Sequence, residues 1–226
     1  MRKRRQPVVF VHGVRTSSAI WEPQVAAMTD LGHPCVTVDL PGHGSRLDEQ
    51  FTLESAFSAI DDGVRQASEP PLLVGLSLGG YASLAYAADN AGRVAGVVLA
   101  GCSTEIRGWP IGAYRRVSRP VARALRRSQS WHVVTDMLAA LGGYSSLADL
   151  RRLAVPVWLV NGRWDILRFG ERRYLAANPG LRVAVVRRAG HDVNTHAPVA
   201  FTRILLTVLH EMEAALAGGR PVRPAF

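Results

Sequence analysis

The chain has 226 residues, 48% hydrophobic and 20% charged, which suits one packed domain and excludes wholesale disorder. Its net charge of +9 is almost all arginine, Lys3 being the single lysine, and no aromatic-interleaved basic stripe accompanies it, so no nucleic acid partner is expected. No apolar run reaches the roughly 18–20 residues of a membrane span, and the run from Val8 to Val11 is too short for a signal-peptide core of about 7–15 residues, so the expectation is a cytoplasmic protein with no membrane span.

The first apolar run, Pro7 to Val11, reads as a buried strand ending at His12-Gly13. A polar loop follows to Ile20, then a helical stretch from Trp21 through Gln24, Val25, Met28 and Leu31, stopped by Gly32-His33-Pro34. Cys35 to Asp39 is a second strand, followed by the tight loop Leu40-Pro41-Gly42-His43-Gly44-Ser45. Leu53, Phe57, Ile60 and Val64 have helical spacing, with Thr52 as N-cap. Pro70-Pro71 breaks that helix, and Leu72 to Gly75 begins a third strand. Val94 to Ala100, Val155 to Val160 and Leu181 to Val186 are further strands, and Ala197 to Leu216 is a last amphipathic helix. Cys35 and Cys102 sit at strand ends and read as free thiols without metal-ligand spacing; neither a metal nor a cofactor is expected.

Continuous apolar strands alternating with amphipathic helices imply an α/β fold: a mostly parallel sheet of about six strands with helices on both faces. One domain, residues 1–226, is expected, with residues 103–152 departing from the alternation as a helical lid insertion. Helical pieces are expected near Tyr114 to Arg127 and Trp131 to Leu141. The arginines at 107, 115, 116, 119, 123, 126 and 127 read first as a solvated face, and alternatively as an attractor for an anionic substrate or acyl carrier.

In a parallel sheet, function sits beyond the carboxyl ends of the strands. The motifs His12-Gly13, Asp39 onward, Ser77, Gly162 to Asp165 and Gly190-His191 all fall there. Gly75, Ser77 and Gly79 form a G-x-S-x-G elbow between strand and helix; side chains at the two glycines would meet backbone, and the turn lifts the serine hydroxyl clear of the sheet. A serine needs a base, and the base a carboxylate. His191 and Asp165 lie just past the last two strands, in the order serine, acid, histidine. His12 and His43 are the rival histidines; each lies in a glycine-flanked turn where a structural role is simpler, and Asp39 is expected to tie down its Pro-Gly turn. Glu105 is the next acid should Asp165 fail. Oxyanion donors are expected from the backbone N–H groups of Leu78 and Val14.

On these residues the chain resembles the α/β-hydrolase superfamily, close to its small single-domain esterase, lipase and thioesterase-like members. The resemblance implies a serine hydrolase acting on a small or medium carboxylic ester, with a thioesterase on acyl-CoA or an acyl carrier protein as the alternative and a ligand-binding protein with little turnover as another. Relative to that family the N-terminal strand pair is expected to be trimmed, which would leave a sheet edge exposed or covered by a partner; monomer and homodimer stay open. The serine at the elbow argues against branches that carry an aspartate there.

Overall fold

The computed structural model describes residues 5–105 and 131–216. Six strands form one sheet: β1 (Val8–Val11), β2 (Cys35–Val38), β3 (Leu72–Leu76), β4 (Gly96–Ala100), β5 (Val157–Gly162) and β6 (Arg182–Val186). The spatial order is β2-β1-β3-β4-β5-β6 and every pairing is parallel. The chain goes one way from β1 to β2, then the other way through β3 to β6. The crevice between the carboxyl ends of β1 and β3 is therefore the switch point, where open α/β sheets bind ligands.

The period of two along each strand divides the core between the faces. Val9, Val11, Leu73, Val97, Leu99 and Leu159 point to one side and pack with α2 (Leu53–Arg65) and α3 (Leu78–Asp89). Val8, Phe10, Val74, Val98, Trp158 and Val160 point to the other. There they meet Met28 of α1 (Glu22–Asp30) and Phe201, Leu205 and Val208 of the last helix, Pro198–Leu216. Thr52 caps α2 as expected: its hydroxyl accepts from Ser55 N–H, and the Ser55 hydroxyl accepts from Thr52 N–H.

Two expectations shift on inspection. β5 starts at Val157 rather than Val155 and runs on through Gly162. Pro156 has no N–H to give the ladder, whereas Asn161 and Gly162 pair with Val185 and Val186 of β6. The loop before Trp21 closes with a 3₁₀ turn, Ser18–Trp21.

Of the expected insertion, α4 (Trp131–Leu141) and α5 (Ser146–Arg152) are helical. Residues 106–130, with the seven arginines named above, lie outside the described residues. Val133 of α4 rests on the Pro41-Gly42 turn, where a Cβ on Gly42 would come within 3.0 Å of it. Three more helices complete the described chain: α6 (Glu171–Ala177), α7 (Val193–His196) and α8 (Pro198–Leu216). No described helix is long and apolar enough to cross a membrane.

Candidate active site

The turn from β3 into α3 puts Ser77 at φ 49°, ψ −114°, a region L-residues seldom visit. The glycines around it make that turn possible. A Cβ on Gly75 would lie 2.5 Å from Gly79 O and 2.6 Å from Gly80 Cα, and one on Gly79 would run into the carbonyl oxygens of Val11 and His12. The elbow is thus wedged against the end of β1, and any side chain at either glycine would push it out.

Ser77 Oγ lies 2.9 Å from His191 Nε2, and His191 Nδ1 lies 3.0 Å from Asp165 Oδ2. A proton on Nδ1 is donated to the carboxylate, which leaves Nε2 to accept the serine hydroxyl. The second carboxylate oxygen of Asp165 accepts the Leu167 N–H at 2.8 Å, so this buried acid is satisfied on both sides. The hydrogen bond to Asp165 raises the pKa of His191 above the ordinary imidazole value, burial opposing it.

The loops carrying the acid and the histidine are knitted together. Arg163 N–H donates to Val186 O and Trp164 N–H to Ala189 O, both at 2.9 Å. Gly162 permits this approach, since a Cβ there would lie 2.5 Å from Ala189 O. Gly101, at φ 62°, lies under the imidazole: a Cβ on it would be 3.2 Å from ring atoms of His191 and 3.0 Å from its carbonyl oxygen. His196 Nδ1 accepts the Gly190 N–H at 3.1 Å and braces the turn from behind.

The expected oxyanion donors, Leu78 and Val14, follow the ends of β3 and β1, the two strands at the switch point. Leu78 N–H opens α3, where the helix itself offers no acceptor. Val14 N–H has no acceptor among the described residues. Gly13 lies against the elbow, a Cβ on it reaching 3.5 Å from Ser77 Cβ. Val14 is held from both sides by the rival histidines. His12 donates from Nδ1 to Gly13 O at 2.8 Å and accepts Leu40 N–H at Nε2, 3.0 Å. His43 donates from Nδ1 to Pro41 O and accepts Arg15 N–H at Nε2, each at 3.0 Å. The two turns therefore staple each other through imidazoles. Burial drives the pKa of His12 down to about 4, so it stays neutral.

Asp39 completes the staple by accepting Ser18 N–H at 2.7 Å and Ser45 N–H at 2.9 Å. Burial pushes its carboxyl up, but the hydrogen bonds from Ser45 and Ser18 outweigh that and hold it at about 2. Gly44 must be glycine, since a Cβ would collide with that carboxylate. Glu105, the reserve acid, lies away from His191 and accepts Leu147 N–H at 3.4 Å. Among the described residues no group of His, Cys, Asp or Glu could hold a metal ion. Gly101 and His196 are the site residues that sequence reasoning missed.

The sequence matches the model of the alpha/beta hydrolase family over residues 8–204. The chain belongs to that family. The esterase Rv0045c of Mycobacterium tuberculosis is 27% identical over 177 residues, 73% of this chain and 58% of the esterase, so the chain spans less than two thirds of that relative's length. Among solved structures, a carboxylesterase of Nitrososphaera gargenis superposes with a TM-score of 0.79 at 16% identity, covering 94% of this chain and 92% of the other. The enol-lactonase of Burkholderia xenovorans LB400 does so at 0.73 and 22%, covering 93% and 94%. At such identities these likenesses speak to the fold.

Proposed function

We propose that this alpha/beta hydrolase is a serine esterase that cleaves a small or medium carboxylic ester through an acyl-enzyme. One observation carries the reading: the Ser77 hydroxyl, the His191 imidazole and the Asp165 carboxylate stand in one hydrogen-bonded line, 2.9 and 3.0 Å apart. Ser77 Oγ attacks the acyl carbonyl while His191 Nε2 takes its proton. The carbonyl oxygen, now negative, accepts the N–H groups of Leu78 and Val14. His191 returns the proton to the departing alcohol, and Ser77 is left acylated. A water then gives its proton to His191 and attacks the acyl carbon, releasing the acid and restoring the hydroxyl. Asp165 keeps the Nδ1–H tautomer and stabilises the imidazolium formed twice in the cycle. The esterase relative supports the ester over other acyl substrates.

Fluorophosphonate labelling tests the nucleophile. The protein is expected to label at Ser77, and Ser77→Ala to lose both the label and essentially all turnover. Folded protein that does not label would return the chain to the ligand-binding alternative. A panel of p-nitrophenyl esters of graded length beside CoA thioesters then separates esterase from thioesterase. A consistent preference for the thioesters would overturn the ester reading and leave the serine chemistry in place.

A further inference from the structure

We infer that the loop carrying Asp165 seats this protein on an anionic lipid surface. Trp164, Ile166 and Phe169 are 69%, 86% and 64% exposed, and Leu167 stands half out of the protein beside them. Of the nine large hydrophobic side chains exposed among the described residues, these four fall within six consecutive positions. Single exposed apolar residues need no explanation, but a run of them marks a contact surface.

The charges around the loop say which surface. Arg163, Arg172, Arg173, Arg187 and Arg188 are all exposed, and no acid among the described residues pairs with any of them. Arg187 and Arg188 belong to the same edge as Arg163, since Arg163 N–H is bonded to Val186 O. Of the nearby acids, Glu171 is bonded to Arg168 and Asn161, and Asp165 to His191, while Asp192 beside His191 adds one negative charge against the five arginines. The Arg163 guanidinium sits 5.9 Å from the centre of the Trp164 ring, an aromatic and cation pair of the kind that suits the headgroup level of a bilayer. Protruding apolar tips beside exposed arginines that no described acid pairs match a surface with acyl chains below anionic headgroups. A second copy of the chain fits worse, because a two-fold contact would press the same arginines against one another.

Resting on the esterase reading, one consequence follows. The loop that docks is the loop that holds the acid, so the substrate is an ester dissolved in lipid, delivered to Ser77 from the membrane side.

The test is flotation of the full chain with vesicles of phosphatidylcholine alone or mixed with phosphatidylglycerol. The wild type is expected to float with the mixed vesicles and at least about tenfold less with phosphatidylcholine alone. Ile166→Ser with Phe169→Ser should weaken binding about tenfold, and Arg172→Glu with Arg173→Glu about a hundredfold. Both pairs should keep the wild-type rate on p-nitrophenyl acetate, which reports folding, and lose rate on a medium-chain ester embedded in mixed vesicles. Ser77→Ala should float like the wild type, which keeps this inference separate from the nucleophile assignment. Failure of the wild type to float, equal flotation of the Ile166→Ser, Phe169→Ser protein, or concentration-dependent dimerisation lost in that variant would overturn the proposal.

Discussion

Two pairs of the same residue types lie at the rim of this sheet and do opposite things. At the ends of β1 and β2, Asp39 stands 3.8 Å from His12; at the ends of β5 and β6, Asp165 stands 3.0 Å from His191. The first histidine is buried and spends both nitrogens on backbone, one giving to Gly13 O and the other taking from Leu40 N–H. Its acid is spent on Ser18 and Ser45. The second histidine has its acid on Nδ1 and a hydroxyl on Nε2, and is half exposed. Burial drives the first pKa down, while the hydrogen bond to the carboxylate drives the second up. A histidine bonded to two fixed amides is a strut. One placed between a carboxylate and a movable proton is a base.

The sharpest break in this contrast is Asp165→Asn. An asparagine keeps the shape but cannot hold the Nδ1–H tautomer in the same way, so kcat should fall about 10³–10⁴-fold. The pH profile should change with it. On the proposed mechanism, wild-type kcat/KM should rise with pH as His191 loses its proton, with a midpoint above the ordinary imidazole value. Without the carboxylate that midpoint should move down. A near-normal rate would hand the acid's role to another residue.

The strut should report itself in stability. Folded His12 titrates near 4 and an unfolded imidazole near 6.5. Between those values the unfolded chain binds the extra proton, so stability is full above about 6.5 and falls as pH drops, by about 3 kcal/mol once below 4. His12→Gln should flatten that acid-side loss in urea melts taken across the range, while the alkaline-rising profile of turnover keeps its midpoint. An unchanged slope would mean that His12 does not stay neutral.

Gly101→Ala probes His191 from below. Its positive φ strains any side chain there, and a methyl group 3.2 Å from the His191 ring would have to push the ring aside. A displaced imidazole should cost about ten- to a hundredfold in kcat with KM little changed. His196→Leu removes one acceptor behind the same turn. The bond is solvent-exposed, so steady-state assays should find only a two- to threefold decrease, about 0.5 kcal/mol.

How much of this is legible in the sequence follows the range of the forces. The elbow reads directly, because Gly75 and Gly79 answer a local clash and Ser77 stands between them. The strand ends read from apolar runs, and placing Asp165 and His191 there needs only the rule for parallel sheets. The far end of β5 is misjudged by two residues because it is fixed by pairing with β6, which no local pattern records. Gly101 and His196 escape for the same reason. One is a glycine whose neighbour is a ring ninety positions away, the other a histidine whose partner is an amide across a turn. The exposure of Trp164, Ile166 and Phe169 escapes too, since hydrophobic letters in a loop look the same whether they pack or protrude.

The torsion angle at Ser77 also limits which residues could ever succeed it. At φ 49° a side chain that forks at Cβ is strained. Threonine, which also carries a hydroxyl, is therefore disfavoured at the position relative to the unbranched cysteine or aspartate. If Ser77 is the nucleophile proposed above, redesign at this point favours unbranched replacements: a thiol or a carboxylate inherits the backbone more readily than a secondary alcohol.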